Sequence, residues 1–103
     1  MIDSQRDVRR FMLRHGLRYD AATHTLDLIS ELGELSKLVV EATDYGQRAL
    51  DDDGTFSTEL GDVFYSLLAL AVALNVDAGE ALDAAMQKYE RRLREHGGPG
   101  SAS

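Results

Sequence analysis

Residues 59–74 read ELGDVFYSLLALAVAL. In a helix with this sequence, apolar side chains point in almost every direction around the axis. The exceptions fall on one line with spacings of three and four: Glu59, Asp62, Ser66, Ala69 and Ala73. Because these residues are small or acidic, a neighbouring helix can approach closely along their line. We therefore predict a central helix over residues 57–74.

Three further helices are predicted on either side of this segment, over residues 4–15, 20–45 and 77–95. Each begins at a residue whose side chain can cap a helix, namely Asp3 or Ser4, Asp20, and Asp77. Residues 51–54 have the composition of a loop, and residues 97–103 that of a flexible tail. The sequence thus predicts one all-α domain over residues 1–96, built as a four-helix bundle.

The composition is that of one soluble domain, with 103 residues, 44% apolar and 28% charged. The absence of cysteine excludes disulfides and thiolate metal sites. No basic-then-apolar leader opens the chain, and the longest apolar run, residues 63–74, is too short to cross a bilayer. We therefore expect a cytoplasmic protein with no membrane partner.

The net charge of −7 is unevenly distributed along the chain. Residues 1–18 carry a charge of +3, residues 19–83 carry −12, and residues 84–103 carry +2. An acidic middle between basic ends indicates a cation site flanked by groups that bind anions. No long basic face is present, which argues against a nucleic-acid partner.

Two short segments resemble each other, ELGEL at residues 31–35 and ELGDV at residues 59–63. Glu31 projects only about 60° from the centre of the apolar face of its helix, with Glu34 at the edge of that face. A buried charge without a partner is unfavourable, so Glu31 requires one. The glycine within each segment predicts close backbone approach at this level.

If the two acid pairs face one another, their repulsion is comparable to the stability of a small domain, on the order of 10 kcal/mol. Protons or bound cations must offset it. Ligands that are all oxygen suit Mg²⁺ or Mn²⁺. Spacing alone is equally compatible with Glu34 facing solvent and Glu59 lying at a helix N-terminus without a ligand.

The paired acids resemble the signature of the MazG-type all-α nucleoside triphosphate pyrophosphohydrolases, in which Glu-x-x-Glu precedes Glu-x-x-Asp by roughly a dozen to thirty residues. Here 24 residues separate the two motifs. The resemblance implies a catalytic Mg²⁺ site formed by Glu31, Glu34, Glu59 and Asp62. It also implies a nucleotide substrate that is cleaved between its α and β phosphates to a monophosphate and pyrophosphate.

Basic residues of the last predicted helix extend this resemblance, since KYERR at residues 88–92 is similar to the family's basic segment. The resemblance implies phosphate binding by Lys88 and Arg91, with Arg92 beside them. These residues lie opposite an apolar stripe formed by Leu82, Met86, Tyr89 and Leu93. Lys37, one turn beyond Glu34, could also reach a phosphate, although a surface role fits it equally well.

The family's last helix often carries an asparagine shortly before its lysine, whereas this chain has Ala85, Met86 and Gln87 there. The choice of substrate is therefore left open. Two alternatives also remain: a phosphoribosyl-ATP pyrophosphohydrolase, and a non-catalytic helical interaction module that retains the metal motif.

The central helix also predicts self-association. A helix that is apolar all round must be covered on several sides, which three short helices of one chain achieve only in part. We therefore expect a homo-oligomer, either a dimer or a tetramer, as the resemblance also implies.

Overall fold

The computed structural model describes residues 1–51, 54–98 and 100. These residues form four helices: α1 (Asp3–His15), α2 (Ala21–Ala42), α3 (Thr55–Ala73) and α4 (Ala78–His96). The predicted all-α class with four helices is confirmed. The predicted loop at 51–54 includes residues 52 and 53, and the predicted tail includes residues 99 and 101–103, all of which lie outside the described residues.

Two of the predicted helix caps are present. The Asp20 carboxylate accepts a hydrogen bond from the Thr23 amide at 2.7 Å, and Asp77 accepts one from the Glu80 amide at 3.1 Å. Each bond satisfies an amide that has no partner inside the helix. The predicted cap of α1 by Asp3 or Ser4 is wrong, because α1 begins after Ile2 and has no side-chain cap.

α2 ends at Ala42, three residues before the predicted end. Asp44 and Tyr45 adopt left-handed backbone conformations, with φ of 47° and 56°. The Thr43 hydroxyl donates a hydrogen bond at 2.8 Å to a carbonyl one turn earlier. The chain therefore leaves the helix by a turn rather than by continuing to Gly46, and the prediction of helix up to residue 45 is wrong.

The three helices α1, α2 and α3 pack together, with α3 in contact with both α1 and α2. Met12 of α1 and Leu68, Ala69 and Ala71 of α3 form the buried apolar core. Ser66 is buried as well. The burial of Ser66 and Ala69 agrees with close helix approach along the predicted line of small residues.

α4 projects away from these three helices and makes at most marginal contact with any of them. Its apolar side chains Leu82, Met86, Tyr89 and Leu93 are 43–58% exposed. The radius of gyration is 16.6 Å, whereas a compact domain of 100 residues has a value of about 13 Å. A single chain therefore leaves the apolar face of α4 uncovered.

Helix α3 alone, among the described residues, is long and apolar enough to cross a membrane by length and composition. The apolar run predicted from the sequence, at 63–74, is shorter than this helix. α3 carries Glu59 and Asp62 and packs against α2, and helices in the core of soluble proteins meet the same criteria.

Gln5 holds the start of α4 in place. Its side chain is completely buried, with Nε2 donating to the Val76 carbonyl and Oε1 accepting from the Ala78 amide, both at 2.8 Å. The two bonds join α1 to the connection between α3 and α4. They satisfy the Val76 carbonyl, which lies between the helices, and the Ala78 amide, which is at the start of α4 and has no partner inside the helix.

Replacing Gln5 by leucine is expected to lower the free energy of unfolding by about 2 kcal/mol or more, because two backbone groups lose their partners in a buried position. Urea denaturation monitored by circular dichroism measures this loss. Gln87→Leu, the same change at an exposed position of α4, is the matched control. Equal stability of the two variants would contradict the role given to Gln5.

Candidate metal centre

Carboxylates from α2 and α3 converge in one group. One oxygen atom from each of Glu31, Glu34 and Glu59 lies within 4.8 Å of the others. Glu31 and Glu34 are neighbours on α2 because residues three apart share a helix face. Glu59 lies near the start of α3, and the packing of α3 on α2 brings it to them. The structure thus brings three of the four predicted ligands together.

Asp62, the fourth predicted ligand, lies at the edge of this group. It follows Glu59 by three residues on the same helix and is exposed. Its charge is near enough to contribute to a raised pKa of Glu31. All four acids therefore belong to one electrostatic cluster, with Asp62 on its solvent side.

Two oxygen atoms of this cluster are buried without a hydrogen-bond partner among the described residues, namely Oε2 of Glu31 and Oε2 of Glu59. Buried polar atoms in folded proteins almost always have a partner. A cation bound between α2 and α3 would supply one to both atoms. A ligand set made entirely of carboxylate oxygens fits a hard divalent cation such as Mg²⁺ or Mn²⁺.

The pKa of Glu31 is raised above its ordinary value of 4.5. Burial is the largest cause, followed by the negative charges of Glu34, Asp62 and Glu59 and by a hydrogen bond with Glu34. Each of these effects disfavours the ionised carboxylate. The protein thus holds Glu31 in a position where its charge is unfavourable unless a positive charge is nearby.

The glycines of the two motifs do not mediate close approach within one chain. A β-carbon added at Gly33 or Gly61 would meet no atom within 4 Å. The expectation of close backbone contact at these glycines is therefore wrong for the single chain.

The predicted phosphate-binding residues are not brought to the carboxylates within one chain. Lys88, Arg91 and Arg92 all lie on α4, which makes at most marginal contact with α2 and α3.

Tyr89 is also not opposite the basic residues as predicted. Its ring centroid is 5.0 Å from Lys88 Nζ and 6.0 Å from Arg92 Cζ. Lys37 is exposed on α2, one turn after Glu34.

Tyr65, to which the sequence analysis gave no role, lies on α3 one turn beyond Asp62. Burial raises its pKa, with smaller contributions from Tyr19 and Asp27, and its ring meets that of Phe11 edge-on at 6.0 Å. In the sequence, its spacing of three from Asp62 places the two residues on the same face of the helix. The side chain of Tyr65 packs towards α1, against Phe11.

The raised pKa of Glu31 predicts a specific pH dependence in the metal-free protein. Proton binding to Glu31 in the folded state contributes stability that is fully present below pH 4.5 and is lost as the pH rises through the folded-state pKa. Glu31→Gln removes this titration. We therefore expect the melting temperature of Glu31→Gln to rise relative to wild type as the pH increases from about 4.5 towards neutrality.

Thermal unfolding of dialysed, metal-free protein over this pH range checks the expectation. Glu41→Gln, an exposed acid on the same helix, is the matched control and should follow the wild type. If the melting temperatures of Glu31→Gln and wild type changed in parallel with pH, the pKa of Glu31 would not be raised in the folded state.

The chain resembles known proteins in sequence and in structure. The chain is 38% identical over 68 residues to the uncharacterized protein YpjD of Bacillus subtilis (strain 168), a match that covers 63% of this chain and 60% of that relative. The crystal structure of Bacillus subtilis YpjD, described as a candidate pyrophosphatase, superposes with a TM-score of 0.71 at 30% identity. This superposition covers 87% of this chain and 92% of the YpjD chain.

A family match spans most of the chain and includes all four clustered acids. Residues 20–96 match the MazG nucleotide pyrophosphohydrolase domain. The matched region covers α2, α3 and α4, whereas α1 lies before it. The chain belongs to the MazG nucleotide pyrophosphohydrolase domain family.

Proposed function

We propose that the protein is a Mg²⁺-dependent nucleotide pyrophosphohydrolase that cleaves a nucleoside triphosphate, standard or modified, to a monophosphate and pyrophosphate. The observation that carries the proposal is the pair of buried, unpartnered carboxylate oxygens on the facing helices α2 and α3. They occur within a domain of the MazG family. Mn²⁺ would substitute for Mg²⁺, because both cations accept oxygen ligands.

Glu31, Glu34, Glu59 and Asp62 would hold the cation in this proposal. When bound, a divalent cation supplies charge neutralisation at the phosphate oxygens. One of the glutamates would accept a proton from the water that attacks the α phosphate. The bond between the α phosphorus and the bridging oxygen would break, and the electron pair would leave with pyrophosphate.

Basic residues would bind the outgoing pyrophosphate. Lys88 and Arg91 carry this role in our proposal, with Arg92 and Lys37 offering further contacts to phosphate oxygens. Hydrogen bonds from charged donors to phosphate are among the strongest in proteins. Because α4 stands apart in the single chain, its basic residues would approach the carboxylates of a second copy more readily than those of their own.

A homo-oligomer, dimer or tetramer, is therefore part of the proposal. Among the exposed apolar surfaces of the described residues are the stripe on α4 and a groove on α3 lined by Leu60, Gly61, Phe64 and Leu67. Both faces are helical and belong to the same chain, so a second copy can cover them reciprocally. Burial of this apolar surface would be the main driving force for association.

The variant Met86→Glu is expected to dissociate the oligomer, because it places a charge in the centre of the α4 stripe. Light scattering should give at least twice 11.3 kDa for wild type and about 11.3 kDa for the variant. Ala84→Glu, at an exposed position on the other side of α4, should leave the mass unchanged. A wild-type mass near that of one chain at micromolar concentration would contradict the oligomer.

We place the protein in the cytoplasm, with nucleotide substrate and its own copies as partners and with neither nucleic acid nor membrane among them. The acidic net charge of −7 supports the exclusion of nucleic acid.

A substrate panel tests the proposed function. Purified protein with Mg²⁺ is incubated with standard nucleoside triphosphates, modified triphosphates and phosphoribosyl-ATP, and released pyrophosphate is measured. We expect release from at least one triphosphate and none without the cation. Preference for phosphoribosyl-ATP would indicate that the protein is a phosphoribosyl-ATP pyrophosphohydrolase. Absence of release from every compound would contradict catalysis and favour a non-catalytic interaction module.

A further inference from the structure

A second concave site lies at the other end of α3 from the carboxylate cluster. Its volume is about 220 Å³, and it is an open cleft lined by residues of α1, α3, the connection between α1 and α2, and the connection between α3 and α4. Ala71, the first α3 residue that lines it, is nine positions beyond Asp62. At 1.5 Å per residue this places the pocket about 14 Å further along the helix axis.

Two arginines give this pocket its charge. Arg9 of α1 and Arg18 of the α1–α2 connection both line it, and neither forms an ion pair with any residue in the described part of the chain. The Asp77 carboxylate also lines it but has partners, the Met1 amino group at 2.8 Å and the Glu80 amide at 3.1 Å. The two guanidinium charges are therefore not neutralised by the acid beside them.

The lining of the pocket also provides a neutral hydrogen-bond donor. Asn75 contributes a side-chain amide and is held in a left-handed conformation, with φ of 55°, between α3 and α4. The Gln5 amide is already committed to the backbone of Val76 and Ala78. Val76 and Asp77 lead directly into α4, so the pocket adjoins the segment that sets the direction of that helix.

We propose that this pocket binds a small polyvalent phosphate anion through Arg9 and Arg18. The planar guanidinium group donates two parallel hydrogen bonds to phosphate oxygens, which favours phosphate over a monovalent anion. The pocket has the volume of about seven water molecules at roughly 30 Å³ each. That accommodates inorganic phosphate or pyrophosphate, whereas sites for larger organic ligands usually exceed about 300 Å³.

A bound anion would add a link between α1, the α1–α2 connection and the start of α4. Gln5 already joins α1 to the same connection by two hydrogen bonds. Occupation of the pocket would therefore stabilise the packing of the start of α4 against α1 and the α1–α2 connection. The inference concerns binding at a distance from the carboxylates and does not depend on the proposed function.

An NMR titration of the full chain with inorganic pyrophosphate, in the absence of divalent cations, tests the site. We expect saturable shifts of the backbone amides around Arg9, Arg18 and Asn75. Arg9→Gln and Arg18→Gln should each weaken the affinity about tenfold, because each removes charged hydrogen bonds to the anion. Arg14→Gln removes the same charge from α1 outside the pocket and should change the affinity less than about twofold.

Three results would overturn the inference. The first is an absence of saturable shifts around the pocket, and the second is shifts confined to α4 near Lys88. The third is equal weakening by all three arginine variants, which would indicate diffuse attraction to the basic face of α1. Arg9 and Arg18 are exposed, so their variants should fold normally, and matching circular dichroism spectra would verify this. No substrate is turned over, so failure here is distinct from failure of the proposed catalysis.

Discussion

Replacing Asp62 by asparagine is expected to reduce the rate of pyrophosphate release about 100-fold or more, and Glu34→Gln should have a similar effect. A divalent cation contributes several kcal/mol to the stabilisation of charge in phosphoryl transfer, and each 1.4 kcal/mol corresponds to about a factor of ten in rate. Neutral amides bind Mg²⁺ more weakly than carboxylates do. Both side chains are exposed, so the variants should stay folded.

Steady-state release of pyrophosphate, measured at saturating Mg²⁺, provides the comparison. Glu41→Gln changes an exposed acid on α2 outside the cluster and should retain the wild-type rate. Near-normal turnover by both Asp62→Asn and Glu34→Gln would exclude these residues from the catalytic machinery.

The second large effect concerns stability. Mg²⁺ at about a hundred times its dissociation constant should stabilise the fold by about 2.7 kcal/mol, because it binds the folded chain alone. For a domain of about 100 residues this corresponds to a rise in the melting temperature of roughly 10 °C or more. Glu59→Gln should abolish most of the rise, since it neutralises the carboxylate that provides one of the two buried, unpartnered oxygen atoms.

Differential scanning fluorimetry with increasing Mg²⁺ measures this shift, again with Glu41→Gln as the control. Glu59→Gln is also expected to be more stable than wild type without the cation, because it reduces repulsion from Glu31 and Glu34. A Mg²⁺-dependent rise that is unchanged in Glu59→Gln would remove Glu59 from the site.

The carboxylate cluster could be predicted from the sequence because its members obey local periodicity. Glu31 and Glu34, like Glu59 and Asp62, are three residues apart and therefore share a helix face. The line of Ser66 and Ala69 indicated where a second helix could approach α3, and both residues are buried. The family resemblance stated from the motifs agrees with the match over residues 20–96.

Helix ends were less predictable because they depend on bonds that the hydrophobic pattern does not specify. Gly46 looked like the end of α2, yet Thr43 and the left-handed residues after it end the helix earlier. At α1, Asp3 and Ser4 are good capping residues, but the helix begins after Ile2. Several residue types can cap a helix, and tertiary packing decides among them.

The position of α4 could not be derived from the sequence. Periodicity shows that Leu82, Met86 and Leu93 form an apolar face, but it does not show what covers that face. In the single chain the face stays exposed, and Lys88 and Arg91 remain on a helix apart from the carboxylates. Gln5, which fixes the start of α4, lies more than 70 residues from its partners. Such long-range contacts leave no periodic signal.

Anomalous diffraction from crystals grown with Mn²⁺ tests the central claim most directly. The claim is that Glu31, Glu34, Glu59 and Asp62 form one site for a divalent cation between α2 and α3. We predict that the strongest anomalous peak lies among these four carboxylates, within coordination distance of the buried oxygens of Glu31 and Glu59. A map with no peak there, or with its strongest peak at other acidic residues, would contradict the account.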